Sequence, residues 1–439
     1  MRAVLLFKVG YFLCVARNGF NWRCVGRSLR ATCGVVLVRA PGVVLGCLYL
    51  SLMAPAAIAA EWELAGFAAA ELRLFPNSTI DAAQNSETVS PAFTLQPELH
   101  VQSDSGSDRF VAIPFLKADQ DDSRRSHGDL RELYWRRQGD AWALLVGLNR
   151  VFWGVAEARH VIDIINQTDQ VESPFAEDKL GQGMLNLQYF AAVGTFDAYL
   201  LTGFRDRTFP DDDARLRGLL PIDADNPVFE ASSRRRHVDW ALRWSTAIAD
   251  WDIGLSHFRG TGREPRLPTS LRADGTAQFV PHYDIIDQTG LDLQFTHDAW
   301  IWKLEGFSRR GQGRRFIALA GGFEYTLFNL AGQGYDLGLL AEYLYDDRDA
   351  VAPPTRFDDD IFFGFRLALN DAAGTEIKGG AILDRHSHAA SFSIEAGWRL
   401  AERWRLNIEG LAFHRIPARD LLYGLRRDDY LQLQLSRFF

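Results

Sequence analysis

The chain has 439 residues, 47% of them hydrophobic and 24% charged, which is enough for a large core and excludes a disordered chain. The formal net charge of -8 is uneven: residues 1–60 hold seven basic residues and no acid, leaving 41 basic against 56 acidic residues, a net of -15, in residues 61–439. An acidic body argues against nucleic acid as the partner. All four cysteines (Cys14, Cys24, Cys33, Cys47) precede residue 60, which excludes disulfides and thiolate metal sites from the remainder and suits passage through an oxidising compartment.

The first element in chain order is an apolar run, VVLGCLYLSLM (43–53), with Arg39 ahead of it and APAAIAA behind. It is too short to span a bilayer comfortably, and Ala57-Ile58-Ala59 matches the small-residue pattern of a cleavage site. Residues 1–60 therefore read as a removable secretory leader with an over-long N-terminal extension. A rival reading takes Val44-Leu45-Gly46-Cys47 as a lipoprotein site, against which the apolar residues after Cys47 count.

Beyond residue 60 no apolar run reaches 18 residues, so the sequence predicts no spanning helix. Period-two alternation recurs instead. Trp142, Leu144, Val146 and Leu148 share one face, as do Val238, Trp240, Leu242 and Trp244. Ile361, Phe363, Phe365, Leu367 and Leu369 follow, then Trp404, Leu406 and Ile408 opposite Arg405, Asn407 and Glu409. The last strand, YLQLQLSRFF, sets Leu431, Leu433 and Leu435 against Gln432, Gln434 and Ser436. Each segment has one greasy face and one polar face.

A soluble sandwich has the same period, but the connections distinguish a membrane barrel. Short ones (104–107, 139–140, 193–194, 249–250, 298–299, 329–334, 371–374, 401–402) alternate with nine longer polar ones. Short turns on one side and larger loops on the other are the asymmetry of outer-membrane barrels. Aromatics follow the short turns at Trp142, Trp251, Trp300 and Trp404; with Phe439 they form a candidate girdle at one membrane boundary. The count gives an all-β, closed antiparallel up-and-down barrel of about 18 strands, with 16 as the main alternative, occupying 61–439.

The polar faces supply a candidate lumen wall: Arg131, Arg243, Lys303, Glu305, Glu342, Arg366, Glu395, Arg399, Arg405 and Glu409. Ionised groups cannot face lipid cheaply, so they line water or pair across the interior. The loop 153–182 mixes VIDII with acids. It is the candidate constriction, carried by Glu157, Asp163, Asp169, Glu172, Glu177 and Asp178, with Arg131, Arg136 and Arg137 as basic wall opposite. The charged runs in 205–234 and at Asp346-Asp347 and Asp358–Asp360 read as solvated loops. No HExxH, GxSxG, Walker or Rossmann motif is present, so no catalytic, cofactor or metal residue is assigned.

Leader, alternation, aromatic ring and the closing strand with Phe439 together resemble Gram-negative outer-membrane porin-type barrels. Within 147–184, Gly147, Trp153, Gly154 and Ile165-Asn166 resemble a strand-end and loop pattern of porin-like families, including alginate-export-type channels; Gln167 stands where those families have proline. The resemblance implies a passive outer-membrane channel for small hydrophilic solutes. It also implies lipid and lipopolysaccharide as surroundings, and recognition of the C-terminal strand by the assembly machinery. An export conduit and a non-conducting structural or adhesive barrel remain the alternative functions.

Overall fold

In the computed structural model of the chain, the described residues are 60–439 without 174, 176 and 177, and upstream the backbone of three short strands. The three, Phe7–Val9, Phe12–Ala16 and Trp22–Gly26, form an antiparallel sheet in that order. The leader's apolar run and Glu177 lie outside the described residues.

Eighteen antiparallel strands close into a barrel with neighbours in chain order. They are β1 (Ala60–Leu74), β2 (Val89–Ser103), β3 (Asp108–Asp119), β4 (His127–Gln138), β5 (Trp142–Asn149), β6 (Gln182–Ala191), β7 (Gly194–Thr202), β8 (Asp239–Ile248) and β9 (Trp251–Thr261). They continue as β10 (Ile285–His297), β11 (Trp300–Arg310), β12 (Phe316–Leu330), β13 (Tyr335–Asp346), β14 (Asp359–Ala368), β15 (Glu376–Asp384), β16 (Ala390–Ala401), β17 (Trp404–His414) and β18 (Tyr430–Phe438). The cylinder is sealed by β18 on β1, Leu431 facing Leu74 and Phe438 facing Phe67. Closure leaves no unpaired edge strand.

The outside is apolar. Leu242, Leu255, Leu291, Phe363 and Leu435 are all more than a third exposed at mid-strand. An all-round apolar exterior on a closed barrel is stable only against lipid, so the barrel is a transmembrane one. Trp142, Trp251, Trp300 and Trp404 open β5, β9, β11 and β17 at the short-turn end and are likewise exposed. Trp300 stacks on Trp302, and the Arg437 guanidinium lies 5.9 Å from the Trp404 ring. Phe439, half exposed, donates its N–H to the Gly66 carbonyl of β1.

Two irregularities matter for the interior. Pro97 on β2 and Pro114 on β3 offer no N–H, and the β2–β3 ladder is interrupted between Leu95–Leu116 and Leu99–Ala112. On the other side of β3 the register slips by one at Pro114, leaving Arg131 as the extra residue of β4. The bulge turns both Arg131 and Glu132 away from lipid and returns Leu133 and Trp135 to it.

Candidate functional site

The loop between β5 and β6 folds into the barrel. It begins with extended residues in which Val151 and Trp153 turn to the wall and Phe152 turns away. Trp153 is buried against Tyr199, with the Arg243 guanidinium 5.3 Å from its ring. Ile162 and Ile165 are wholly buried among wall residues such as Phe258 and Ile286. This apolar cluster is the reason a polar loop leaves the surface: it buries four large side chains from VIDII that would otherwise face water.

Carboxylates of the wall receive the loop's backbone. Glu305 accepts from the N–H of Val155 and, at 2.6 Å, of Ala156. Glu342 accepts from Glu157 N–H at 2.7 Å and Ala158 N–H at 2.8 Å. Gly154 has φ +152°, and a Cβ there would stand 2.8 Å from Glu305 Oε1, so glycine is what lets the carboxylate reach the turn. Asn166, fully buried, closes the loop on itself: it accepts from Val151 N–H and donates to the carbonyls of Asn149 and Leu180. Of the Gly147, Trp153, Gly154 and Asn166 pattern, the last three seat the loop, whereas Gly147 lies against Leu133 and Tyr134 of β4.

The loop's acids divide into two groups. Glu157 and Asp163 line the cavity above the loop; Glu157 pairs with Arg366 at 3.0 Å and Asp163 with Lys179 at 3.2 Å. Asp169 and Glu172 instead face the β3–β4 wall. Arg131 Nη1 is 2.6 Å from Asp169 Oδ2, Thr208 donates to Asp169 at 2.7 Å, and Lys117 Nζ is 2.5 Å from Glu172. Asp178 is exposed and gives its carbonyl to Asp169 N–H. Arg136 and Arg137 are not opposite this loop: they lie five and six residues closer to the short turns, Arg136 bonded to Gln188 and Gln138. At about 3.4 Å per residue that separates them from Arg131 by more than 15 Å.

The remaining wall residues mostly pair with one another. Arg243 holds Asp292 through two bonds of 2.7 and 2.8 Å, crossing Gly254 where a Cβ would collide with both. Lys303 reaches Glu324 at 3.4 Å, Lys378 reaches Glu395 at 3.0 Å, Arg405 bonds Asn407, and Glu409 accepts from Gln432. Arg399 is exposed at the short-turn end of β16.

A further charged cluster of the interior comes from residues that the alternation did not single out. Arg309 Nη1 lies 2.6 Å and Arg348 Nη1 3.3 Å from Glu264 Oε2. Arg348 and Arg159 share Asp346, at 2.6 and 3.1 Å. Arg207 joins them, its guanidinium on the Arg263 carbonyl at 2.9 Å; among the described residues no carboxylate oxygen lies within 4.0 Å of it. Four arginines therefore face two carboxylates. Burial pushes Glu264 up, but Arg348, Arg309, Arg159 and Arg207 together hold it well below the usual carboxylate range. Burial, then Arg348, lowers Arg159, and burial lowers Arg207. Aromatic faces fix the array: Arg309 on Phe307, Arg348 on Phe316 and Arg159 on Phe357. Of the group only Arg309 carried a legible signal, sharing the inward parity of Glu305 and Phe307 on β11.

Of these, Arg159, Arg207, Glu264, Arg309 and Phe357 border a cavity of about 870 Å³ at the long-loop end. Twelve basic and nine acidic residues line it, in a body whose net charge is -15. Its outer rim is a second inserted loop, 203–238, not a solvated one: Arg215 and Arg217 are buried, on Asp428 at 3.2 Å and Asp81 at 2.6 Å. Asp346 and Asp360 are buried too. A second cavity of about 630 Å³, bordered by Arg243, Asp252 and Asp292, opens at the short-turn end.

No protein-family model matches the chain, and no curated protein does. Solved structures do. A BenF-like porin from Pseudomonas fluorescens Pf-5 aligns with TM-score 0.50 at 10% identity, over 87% of this chain and 98% of that one. Pseudomonas aeruginosa OccK9 (OpdG) aligns with TM-score 0.50 at 12% identity, over 87% and 98%. The chain has the fold of a porin barrel.

Proposed function

We propose that the chain is an outer-membrane channel for passive diffusion of small hydrophilic solutes, with a preference for anions. The observation that carries the preference is the interior arginine group, four guanidinium groups against two carboxylates, with no described carboxylate oxygen within 4.0 Å of Arg207, which lines the 870 Å³ cavity. A desolvated cation with spare donors attracts a solute carboxylate or phosphate strongly and geometrically. The porin fold supports a conducting barrel, and the loop 150–181 supplies its narrowing. The BenF-like and OccK9 resemblance supports the fold only.

The test is conductance of the full chain in planar bilayers, with the zero-current potential read across a KCl gradient. The expected result is a conducting pore whose potential has the anion-selective sign, moving toward cation selectivity in the Arg159→Glu, Arg207→Glu variant. A folded barrel that never conducts defeats the reading; a cation-selective wild type defeats the preference.

A further inference from the structure

The cavities at the long-loop and short-turn ends of the interior share one lining residue. Phe152 lines the 870 Å³ cavity at the long-loop end and the 630 Å³ cavity at the short-turn end. It is 60% exposed, between a half-buried Val151 and a Trp153 that is 3% exposed. Burying a phenylalanine is worth about 1.5–3 kcal/mol, so a ring left 60% exposed forgoes most of that gain.

The ring is also held. His160 meets it edge-on, ring centroids 4.7 Å apart at 84°. Upstream, Asn166 takes the Val151 N–H; downstream, Glu305 takes those of Val155 and Ala156. The backbone on both sides is therefore pinned to the wall while the side chain projects from it.

We propose that Phe152 is the gate of the channel, the side chain past which every solute crossing from one cavity to the other must move, and so a residue that determines size selectivity. The proposal rests on the channel reading and adds to it the position of the narrowest point. An apolar ring there offers a hydrated ion no replacement for lost water, so it resists passage out of proportion to its volume.

Single-channel conductance of F152A, F152W and F152C decides it. F152A is expected to raise conductance by about 1.5-fold or more and F152W to lower it. Residues 61–439 contain no cysteine, so a charged methanethiosulfonate reagent that blocks F152C and spares wild type reports the thiol at position 152. Block from either side of the bilayer is the expected result. If wild type conducts while F152A and F152W match it, or F152C reacts without a change in current, the gate is refuted and the channel stands. If wild type itself does not conduct, the channel reading has failed instead.

Discussion

Glu305 and His160 show how single residues seat the loop. Glu305 is wholly buried on β11 and organises the turn after Gly154 through backbone N–H groups. His160 Nδ1 lies 3.9 Å from its Oε1, with Asp163 and Lys179 as the other charges nearby. Burial pushes the imidazole down, but Glu305 and Asp163 outweigh burial and Lys179 and hold it above its ordinary 6.5. A raised histidine contributes its full stabilisation below the unfolded value and loses it as pH rises through the folded one. The loop's seating therefore weakens on the alkaline side of 6.5. Open-channel current noise is expected to grow as pH rises above 6.5, and the His160→Gln variant to show no such dependence. Equal noise growth in both would assign the effect to another group.

At the scale of the element, β4 shows what alternation conveys and where it stops. Strict period two makes the lipid faces of β5, β8, β14, β17 and β18 readable, because each needs only a greasy side and a polar one. The short turns and the tryptophans after them are local signals and were equally readable. Pro114 shifts the register by one, so that Arg131 and Glu132 both face inward; a proline's effect on the neighbouring strand is not encoded in that strand. Loop arginines such as Arg207, Arg263 and Arg348 are placed by tertiary packing alone. The lumen side of VIDII was readable from its hydrophobicity, whereas loop 203–238, with Phe209 and Ala214 buried among charges, was masked by those charges. Removing Arg131 leaves Asp169, which is 0% exposed, with the Thr208 hydroxyl and a distant His127. Breaking a buried pair by deleting one partner costs about 3–5 kcal/mol. Arg131→Ala is expected to speed hydrogen exchange across 161–173 by orders of magnitude while the strands stay protected, with Arg131→Lys in between. Unchanged exchange in that segment would show that the apolar cluster alone seats the loop.

For the whole molecule, the proposed channel sets the two inserted loops in series along one path. Loop 203–238 starts on β7 yet docks on the loops beside β1 and β18, which lie across the barrel: Arg215 meets Asp428 and the Phe75 ring, and Gln84 donates to the Arg215 carbonyl. It lies at the long-loop mouth, and in the proposed channel loop 150–181 is the narrowing in the middle. Neither loop belongs to the eighteen-strand ladder, so shortening one leaves closure intact. Resistances in series add, and the narrower one dominates the sum. With Phe152 as the narrow point, replacing 211–222 by a short Gly-Ser linker is expected to raise conductance only slightly, F152A to raise it more, and the two together to exceed the sum of the separate gains. Far-UV circular dichroism checks that the barrel persists in each variant. If the linker variant alone conducts as well as the double variant, the outer loop sets the resistance and Phe152 lies in an already wide passage.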